Sequence, residues 1–207
     1  LGSSDHCILD VEDCDPCPQV GDIVDFDVIY LTMLYATGRP GTSFPVAGLI
    51  LVGATPSFIK RTDWHPAQEP ALLDTFCAAI EHDAAGTLQR FVALINQGDT
   101  QARAIARGLN GQLKSALPAN TRTLLDGLAW LRDVDLRATI AAVATPALLI
   151  HGAHDPLMPL AAAQWLAANL SNAALKVMPD AAHAPFLHAP ENFAKLIGEY
   201  CHAAARP

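Results

Sequence analysis

The sequence predicts an α/β fold built on a mostly parallel sheet, with a four-helix insertion between two strands. Short apolar runs with the length of buried strands occur at Val46 to Gly53, Ala147 to His151 and Ala174 to Met178. Helical patterns follow the second and third runs, at 159–170 and 190–204. Strands that alternate with helices are typical of a parallel sheet with helices on its faces.

Four more helical patterns separate the first two strands, at about 70–84, 86–97, 100–116 and 120–132. Gly98-Asp99 and Leu117-Pro118 interrupt them, and Asp99-Thr100 is suited to cap the third helix. The block is too long for a crossover connection, so we expect it to cover the strand ends as a cap. The predicted division is a core of 46–69 and 133–207 and a helical cap of 70–132.

Residues 1–45 form an atypical acidic segment. The apolar pattern at 22–33 predicts one strand within it. Eight acids and no base precede Arg39, and 13 acids and 13 bases follow from there, so the net charge of −8 lies in the first 38 residues. This change in composition suggests a truncation, a gene fragment or a shifted reading frame. The three remaining strands would then expose an apolar edge, and we expect marginal stability or aggregation.

The composition narrows the class of protein. A hydrophobic share of 51% and a charged share of 16% are typical of a globular chain. No apolar run approaches the roughly 18 residues of a membrane span, no basic stripe indicates nucleic-acid binding, and no signal peptide is expected. The five cysteines lack disulfide-framework spacing, which favours a reducing cytoplasm. Cys14-Asp-Pro-Cys17 has no second pair of ligands, so neither a metal nor a cofactor is predicted.

Two residues at strand ends offer the chemistry of an acid–base pair. Asp155 lies four residues past His151, and His183 lies five past Met178. Because the carboxyl ends of neighbouring parallel strands lie at one edge of a sheet, we expect the two side chains to meet. Asp155 can then fix the tautomer of His183 and stabilise its imidazolium form. We interpret four other histidines as structural, namely His65, His151, His154 and His188.

The flanking segments resemble the α/β-hydrolases, and most closely the pimeloyl-acyl-carrier-protein methyl ester carboxylesterases of biotin synthesis. The resemblance extends from about Val46 to the C-terminus. It rests on Gly152-Ala-His-Asp155-Pro-Leu-Met-Pro159, Ala181-Ala-His183-Ala-Pro-Phe186, Asp133-Val-Asp-Leu-Arg137 and Gln89-Arg90-Phe91-Val-Ala-Leu94. The first segment is general to the superfamily, whereas the second and fourth are more specific.

The resemblance implies a serine-type carboxylesterase that cleaves the methyl ester of a carrier-bound acyl chain, with Asp155 as the triad acid and His183 as the base. It implies a substrate pocket lined by Phe91, Val92, Ala93, Leu94 and Ile95, and carrier-protein docking on Arg90, Arg103 and Arg107. One further basic position of the docking set falls on Gly86. No cofactor, nucleic acid or membrane is implied, and a monomer is expected if the fold is complete.

Charge in the predicted cap agrees with an acidic acyl-carrier protein as the partner. Residues 86–140 carry seven bases and four acids, which gives a local net charge of +3 on a chain whose net charge is −8. Such a surface can steer an acidic protein towards the site. A solvated helical face would have the same composition, so docking and simple solvation both stay open.

The sequence departs from the family at the nucleophile. α/β-Hydrolases carry it in Gly-x-Ser-x-Gly on a strand-to-helix turn, and this sequence contains no such motif. Ser43 lies about three residues before the first clear strand and Ser4 lies two before His6, so neither fits the turn and the nucleophile is unknown. Two alternatives stay open: a non-catalytic hydrolase-like protein that binds an acidic partner through the cap, and another cap-bearing esterase or lactonase.

Overall fold

The computed structural model describes residues 48–115 and 121–204. The predicted N-terminal strand, Ser4, Ser43 and the Cys14-Asp-Pro-Cys17 pair lie outside the described residues. The elements in chain order are β1 (Leu49–Val52), α1 (Pro70–His82), α2 (Ala84–Ile95), α3 (Ala102–Ser115), α4 (Thr121–Asp133), a 3-10 turn (Ile140–Ala142), β2 (Ala147–Gly152), α5 (Leu160–Asn169), β3 (Ala173–Met178), α6 (Pro185–His188) and α7 (Pro190–Ala204). The strands and helices predicted from Val46 onward are confirmed. The 3-10 turn and α6 were not predicted, because elements of three or four residues are too short to show a period.

The three strands of the described region form one parallel sheet in the order β1-β2-β3. Ala147 of β2 is in register with Leu49 on one side and with Ala173 on the other. All three carboxyl ends therefore lie at one edge of the sheet. This arrangement confirms the predicted α/β class with a parallel sheet.

Helices cover both faces of the sheet. On one face Leu51 and Leu149 pack with Leu166 of α5, and on the other Ile150 packs with Cys201 of α7. Every residue of β1 and β2 is buried. Strands that are buried on both faces favour apolar side chains on both, which explains why β1 and Ala147 to Ile150 of β2 are continuously apolar rather than alternating.

Local backbone chemistry places two boundaries that the apolar pattern missed. The strand β1 ends before Gly53, whose φ of +56° lies in the left-handed region that favours glycine. The helix α1 ends at His82, because Asp83 leaves the helical conformation and its side chain accepts the backbone N–H of Gly86 at 2.9 Å. Asp83 thus caps α2 and divides two helices that were expected to divide about two residues later.

The irregular stretch between β1 and α1 is fixed by an ion-pair network. Arg137 donates to both carboxylate oxygens of Asp135 and to Oδ1 of Asp63, and its guanidinium lies 5.4 Å from the ring centroid of Trp64. The hydrogen bonds from Arg137 lower the pKa of Asp135. These contacts hold the chain that leaves β1 against the chain that returns towards β2.

Helices α1, α2 and α4 of the segment α1 to α4 pack against the loops that follow β1 and β2. Phe91 and Leu128 of this four-helix segment contact a buried cluster that includes Phe58, after β1, and Leu157, after β2. The predicted core and cap boundaries stay a prediction. Within 48–115 and 121–204, no helix has both the length and the apolar character needed to cross a bilayer.

Candidate active site

Asp155 is held rigidly in the loop after β2. Its side chain is 0% exposed, and Oδ1 accepts the backbone N–H groups of Leu157 and Met158, both at 2.9 Å. An aspartate that accepts from the backbone two and three residues ahead forms a tight turn, and Pro156 suits that turn. One carboxylate oxygen is therefore committed to the turn, and Oδ2 is directed elsewhere.

His183 lies in the loop after β3 and meets this second oxygen. Its Nδ1 lies 2.7 Å from Oδ2 of Asp155, and its side chain is 4% exposed. With a carboxylate as the acceptor, Nδ1 carries the proton and donates it, which is a charge-assisted hydrogen bond. This bond leaves Nε2 as the basic nitrogen of the ring, so the pair can take a proton from a hydroxyl group and stabilise the resulting imidazolium.

Two glycines let the three strand ends approach one another. A Cβ at Gly152 would overlap the carbonyl oxygen of Ala182, so a larger residue would push the β2 and β3 loops apart. A Cβ at Gly53, at the end of β1, would lie 3.1 Å from Cε1 of His183. The absence of side chains at these positions keeps the Asp155–His183 pair closely packed.

His151 belongs to the same cluster, although the sequence indicated only a structural histidine. Its side chain is 1% exposed, its Nε2 donates to the carbonyl of Met158 at 2.7 Å, and the same nitrogen lies 3.7 Å from Oδ2 of Asp155. Burial lowers the pKa of His151 despite the nearby carboxylate, which acts in the opposite direction. The ring is therefore neutral at pH 7. The one signal in the sequence that could have placed His151 near the pair was its position at the end of β2, two residues before the Asp155 loop.

The three other histidines that were predicted to be structural differ in exposure and in hydrogen bonding. His65 and His154 are exposed, and His154 packs against Gly98. The ring of His188 donates from Nδ1 to Oδ1 of Asp99 at 2.9 Å, so it forms a second aspartate–histidine pair. Across the two described stretches, no group of three or more His, Cys, Asp or Glu side chains is arranged to hold a metal ion.

An apolar pocket lies between the four-helix segment and the loops that follow β1 and β2. Its lining is Phe58, Gln68, Leu72, Leu73, Phe76, Ile80, Leu88, Phe91, Leu94, Leu124, Leu128, Leu131 and Leu157. Gln68 is the one polar side chain in this lining, and its Nε2 donates to the carbonyls of Pro156 and Leu157. The amide group is therefore satisfied by the Asp155 loop, and the pocket offers mainly hydrocarbon to a ligand.

The segment expected to line this pocket does so only in part. Phe91 and Leu94 line it, Val92 is buried in the helix packing, and Ala93 is exposed. Ile95 packs against the cluster that contains Leu157, and its carbonyl accepts the backbone N–H of His183 at 3.2 Å. A helix turns by 100° per residue, so five consecutive residues cannot all face one cavity.

The three arginines predicted for docking are all exposed. Arg90 lies on α2, where its Nη2 donates to the hydroxyl of Thr87 at 2.8 Å, and Arg103 and Arg107 lie one turn apart on α3. At the position where a further base was expected, a Cβ on Gly86 would collide with the carboxylate of Asp83. The helix cap therefore occupies the room that a longer side chain at Gly86 would need.

Comparison with known proteins places the sequence in a family. A family model described as the alpha/beta hydrolase family matches residues 28–196. The match begins before the resemblance noted from the sequence, which began at about Val46; residues 28–47 lie outside the described part of the chain. Relatives named pimeloyl-acyl-carrier-protein methyl ester esterase share 42% identity in Aromatoleum aromaticum (73% of this chain, 63% of the relative) and 39% in Nitrosomonas europaea (72% and 59%).

The chain thus spans about three fifths of the length of these curated relatives. Among solved structures, an esterase from Exiguobacterium antarcticum superposes with a TM-score of 0.72 at 22% identity, covering 84% of this chain and 62% of that one. A bromoperoxidase from Bacillus anthracis superposes with a TM-score of 0.67 at 17% identity, covering 73% and 56%. Sequence match, shared fold and parallel sheet agree: the chain belongs to the alpha/beta hydrolase family.

Proposed function

We propose that this chain is a carboxylic ester hydrolase in which His183 is the general base and Asp155 orients it. The observation that carries the proposal is the 2.7 Å hydrogen bond from Nδ1 of His183 to Oδ2 of Asp155 at the carboxyl ends of adjacent parallel strands. Ligands of open α/β sheets bind at this edge. The nucleophile is not assigned, and the two serines weighed from the sequence, Ser4 and Ser43, lie outside the described residues.

In the proposed reaction a hydroxyl nucleophile attacks the ester carbonyl while Nε2 of His183 takes its proton. Asp155 stays ionised and stabilises the imidazolium through Nδ1. The imidazolium then gives its proton to the departing alkoxide, which leaves as an alcohol. The acyl group stays bonded to the nucleophile as an acyl-enzyme. Water activated by the same nitrogen hydrolyses that intermediate and restores the nucleophile.

The substrate we propose is the methyl ester of a pimeloyl group carried by an acyl-carrier protein. Two observations support it. The pocket beside Asp155 is lined almost entirely by apolar side chains, which suits an aliphatic acyl chain. Relatives at 42% and 39% identity carry that substrate in their names. Leu157 lines the pocket and donates its backbone N–H to Oδ1 of Asp155 at 2.9 Å, so the loop that carries Asp155 also forms part of the pocket wall.

We further propose that the four-helix segment acts as a cap and that its exposed arginines receive the carrier protein. Arg103 and Arg107 stand one turn apart on α3, and a guanidinium group suits both the carboxylates of an acidic protein and a phosphate group. Long-range attraction from such a patch raises the rate of encounter and weakens as salt screens it.

Two measurements test the proposal. The 207-residue chain should hydrolyse p-nitrophenyl acetate, and His183→Ala should abolish this turnover; no turnover by the unmodified chain would refute the esterase assignment. A carrier-linked methyl ester should be preferred to the free ester, and Arg103→Glu should reduce that preference by about five- to tenfold at low salt.

The matched control is Arg122→Glu, which reverses another exposed arginine of the four-helix segment, one paired with Asp126 on α4. It should leave the preference for the carrier-linked ester intact. Equal losses in the Arg103 and Arg122 variants, or no loss in either, would remove the carrier protein from the proposal while leaving the esterase activity standing.

A further inference from the structure

The turn between α2 and α3 is joined directly to the loop that carries His183. The backbone N–H of His183 donates to the carbonyl of Ile95 at 3.2 Å, and the backbone N–H of Thr100 donates to the carbonyl of Asp180 at 3.2 Å. These bonds join positions that lie about 80 residues apart in the sequence. The backbone of the His183 loop is thus tied to the four-helix segment at Asp180 and at His183 itself.

A buried carboxylate completes this junction. The side chain of Asp99 is 1% exposed, and its Oδ2 accepts the backbone N–H of Ala182 at 3.1 Å. Its Oδ1 accepts the backbone N–H of Gln101 at 2.6 Å and Nδ1 of His188 at 2.9 Å. Three donors from two separate parts of the chain therefore converge on one carboxylate.

The turn before α3 does not by itself require this arrangement. It needs only the bond from the backbone N–H of Gln101, and an exposed aspartate would accept that bond without any cost of desolvation. Asp99 is instead buried, with its second oxygen directed at the residue immediately before His183. The Gln101 side chain adds a bond to the carbonyl of His188 at 2.7 Å, so α6 is held as well.

We propose that Asp99 is a positioning residue that holds the His183 loop so that the imidazole stays in register with Asp155. The inference rests on the proposed function only in taking His183 as the base. Through Asp99, the turn between α2 and α3 and the imidazole move as one unit. A displacement of the four-helix segment is thereby transmitted to the base, where a shift of about 1 Å is enough to slow a reaction roughly a hundredfold.

The test is the exchange of the His183 Nδ1 proton with water, followed by NMR in histidine-labelled protein. The resonance is identified by its loss in His183→Gln. In Asp99→Ala we expect the proton to exchange at least about tenfold faster, at a temperature where circular dichroism shows the variant folded. The matched control is Asp126→Ala, which removes an exposed carboxylate from the same four-helix segment and should leave the exchange rate unchanged.

Two further variants keep the inference testable if Asp99→Ala does not fold. Asp99→Asn keeps the shape but has only one acceptor atom, so we expect a smaller rise in exchange in the same direction. His188→Ala removes a single donor and leaves the bond to Ala182, so it should retain most of the protection. Unchanged exchange in folded Asp99→Ala or Asp99→Asn, or an equal rise in Asp126→Ala, would overturn the inference.

Ester turnover separates this inference from the function on which it rests. If the chain hydrolyses p-nitrophenyl acetate, Asp99→Ala should lower kcat by roughly ten- to a hundredfold with KM nearly unchanged, because the base is displaced while the pocket is intact. Turnover that depends on His183 but is indifferent to Asp99 refutes the positioning role alone. Absence of turnover with faster proton exchange refutes the esterase alone.

Discussion

Oδ2 of Asp155 lies 2.7 Å from Nδ1 of His183, and the two residues come from loops on adjacent strands. Asp155→Asn preserves the shape of the side chain but replaces the charged acceptor by a neutral amide. We expect ester hydrolysis to fall by roughly a thousandfold, because the imidazole loses its orienting charge and its preferred tautomer. Turnover of p-nitrophenyl acetate measures this, with Asp126→Asn as the control on an exposed carboxylate. Equal activity in both variants would exclude Asp155 from the site.

Gly152 should not tolerate a side chain. A Cβ there would overlap the backbone carbonyl of Ala182, and backbone atoms cannot rotate away as a flexible side chain can. We expect Gly152→Ala to lower the free energy of unfolding by about 3 kcal/mol or more, measured by urea denaturation.

Gly127 provides the matched control for that substitution. It lies within α4, and a Cβ at this position would meet no atom within 4 Å. Gly127→Ala should therefore raise the free energy of unfolding by about 0.5–1 kcal/mol, as expected for alanine in a helix interior. A loss of similar size in both variants would show that the close contact at Gly152 does not account for the lower free energy of unfolding.

His151 should make the protein less stable in mild acid. Burial lowers its pKa in the folded chain, whereas in the unfolded chain it titrates near its usual value of about 6.5. Below that pH the unfolded state binds a proton that the folded state does not, so the stability is complete above about pH 6.5 and falls as the pH drops towards the folded pKa.

Urea denaturation between pH 5 and pH 8 measures this dependence. His151→Gln should flatten the slope, since glutamine can still donate to the carbonyl of Met158 but does not titrate. His65→Gln is the control, because that exposed side chain is solvated in the folded chain too. Identical slopes for the unmodified chain and His151→Gln would contradict the assignment.

Two neighbouring residues of α2 should have different effects on substrate choice. Phe91 lines the apolar pocket, whereas Ala93 is exposed and does not. Phe91→Ala should reduce the preference for p-nitrophenyl octanoate over the acetate by about five- to tenfold, because apolar contact with the longer chain is lost. Ala93→Phe should leave that ratio unchanged. If Ala93→Phe alters the ratio more strongly, the acyl chain lies elsewhere.

Much of the fold could be predicted because it depends on local signals. Buried strands such as β2 need continuous apolar runs, and the amphipathic pattern of α7 is set by neighbours three and four residues apart. The contact between Asp155 and His183 could be expected for a related reason. Each residue follows its strand at a short distance, and parallel strands bring their carboxyl ends to one edge.

From β1 onward, the sequence by itself therefore determined the order of the longer strands and helices, the family and the two residues most suited to acid–base chemistry. Only the tertiary structure decided which other groups surround that pair. The carboxylate of Asp99 reaches Ala182, 83 residues away, and the pocket combines side chains from α1, α2 and α4 with those of two loops. Such contacts leave no period or motif in the chain, because they depend on how whole elements pack rather than on their local sequence.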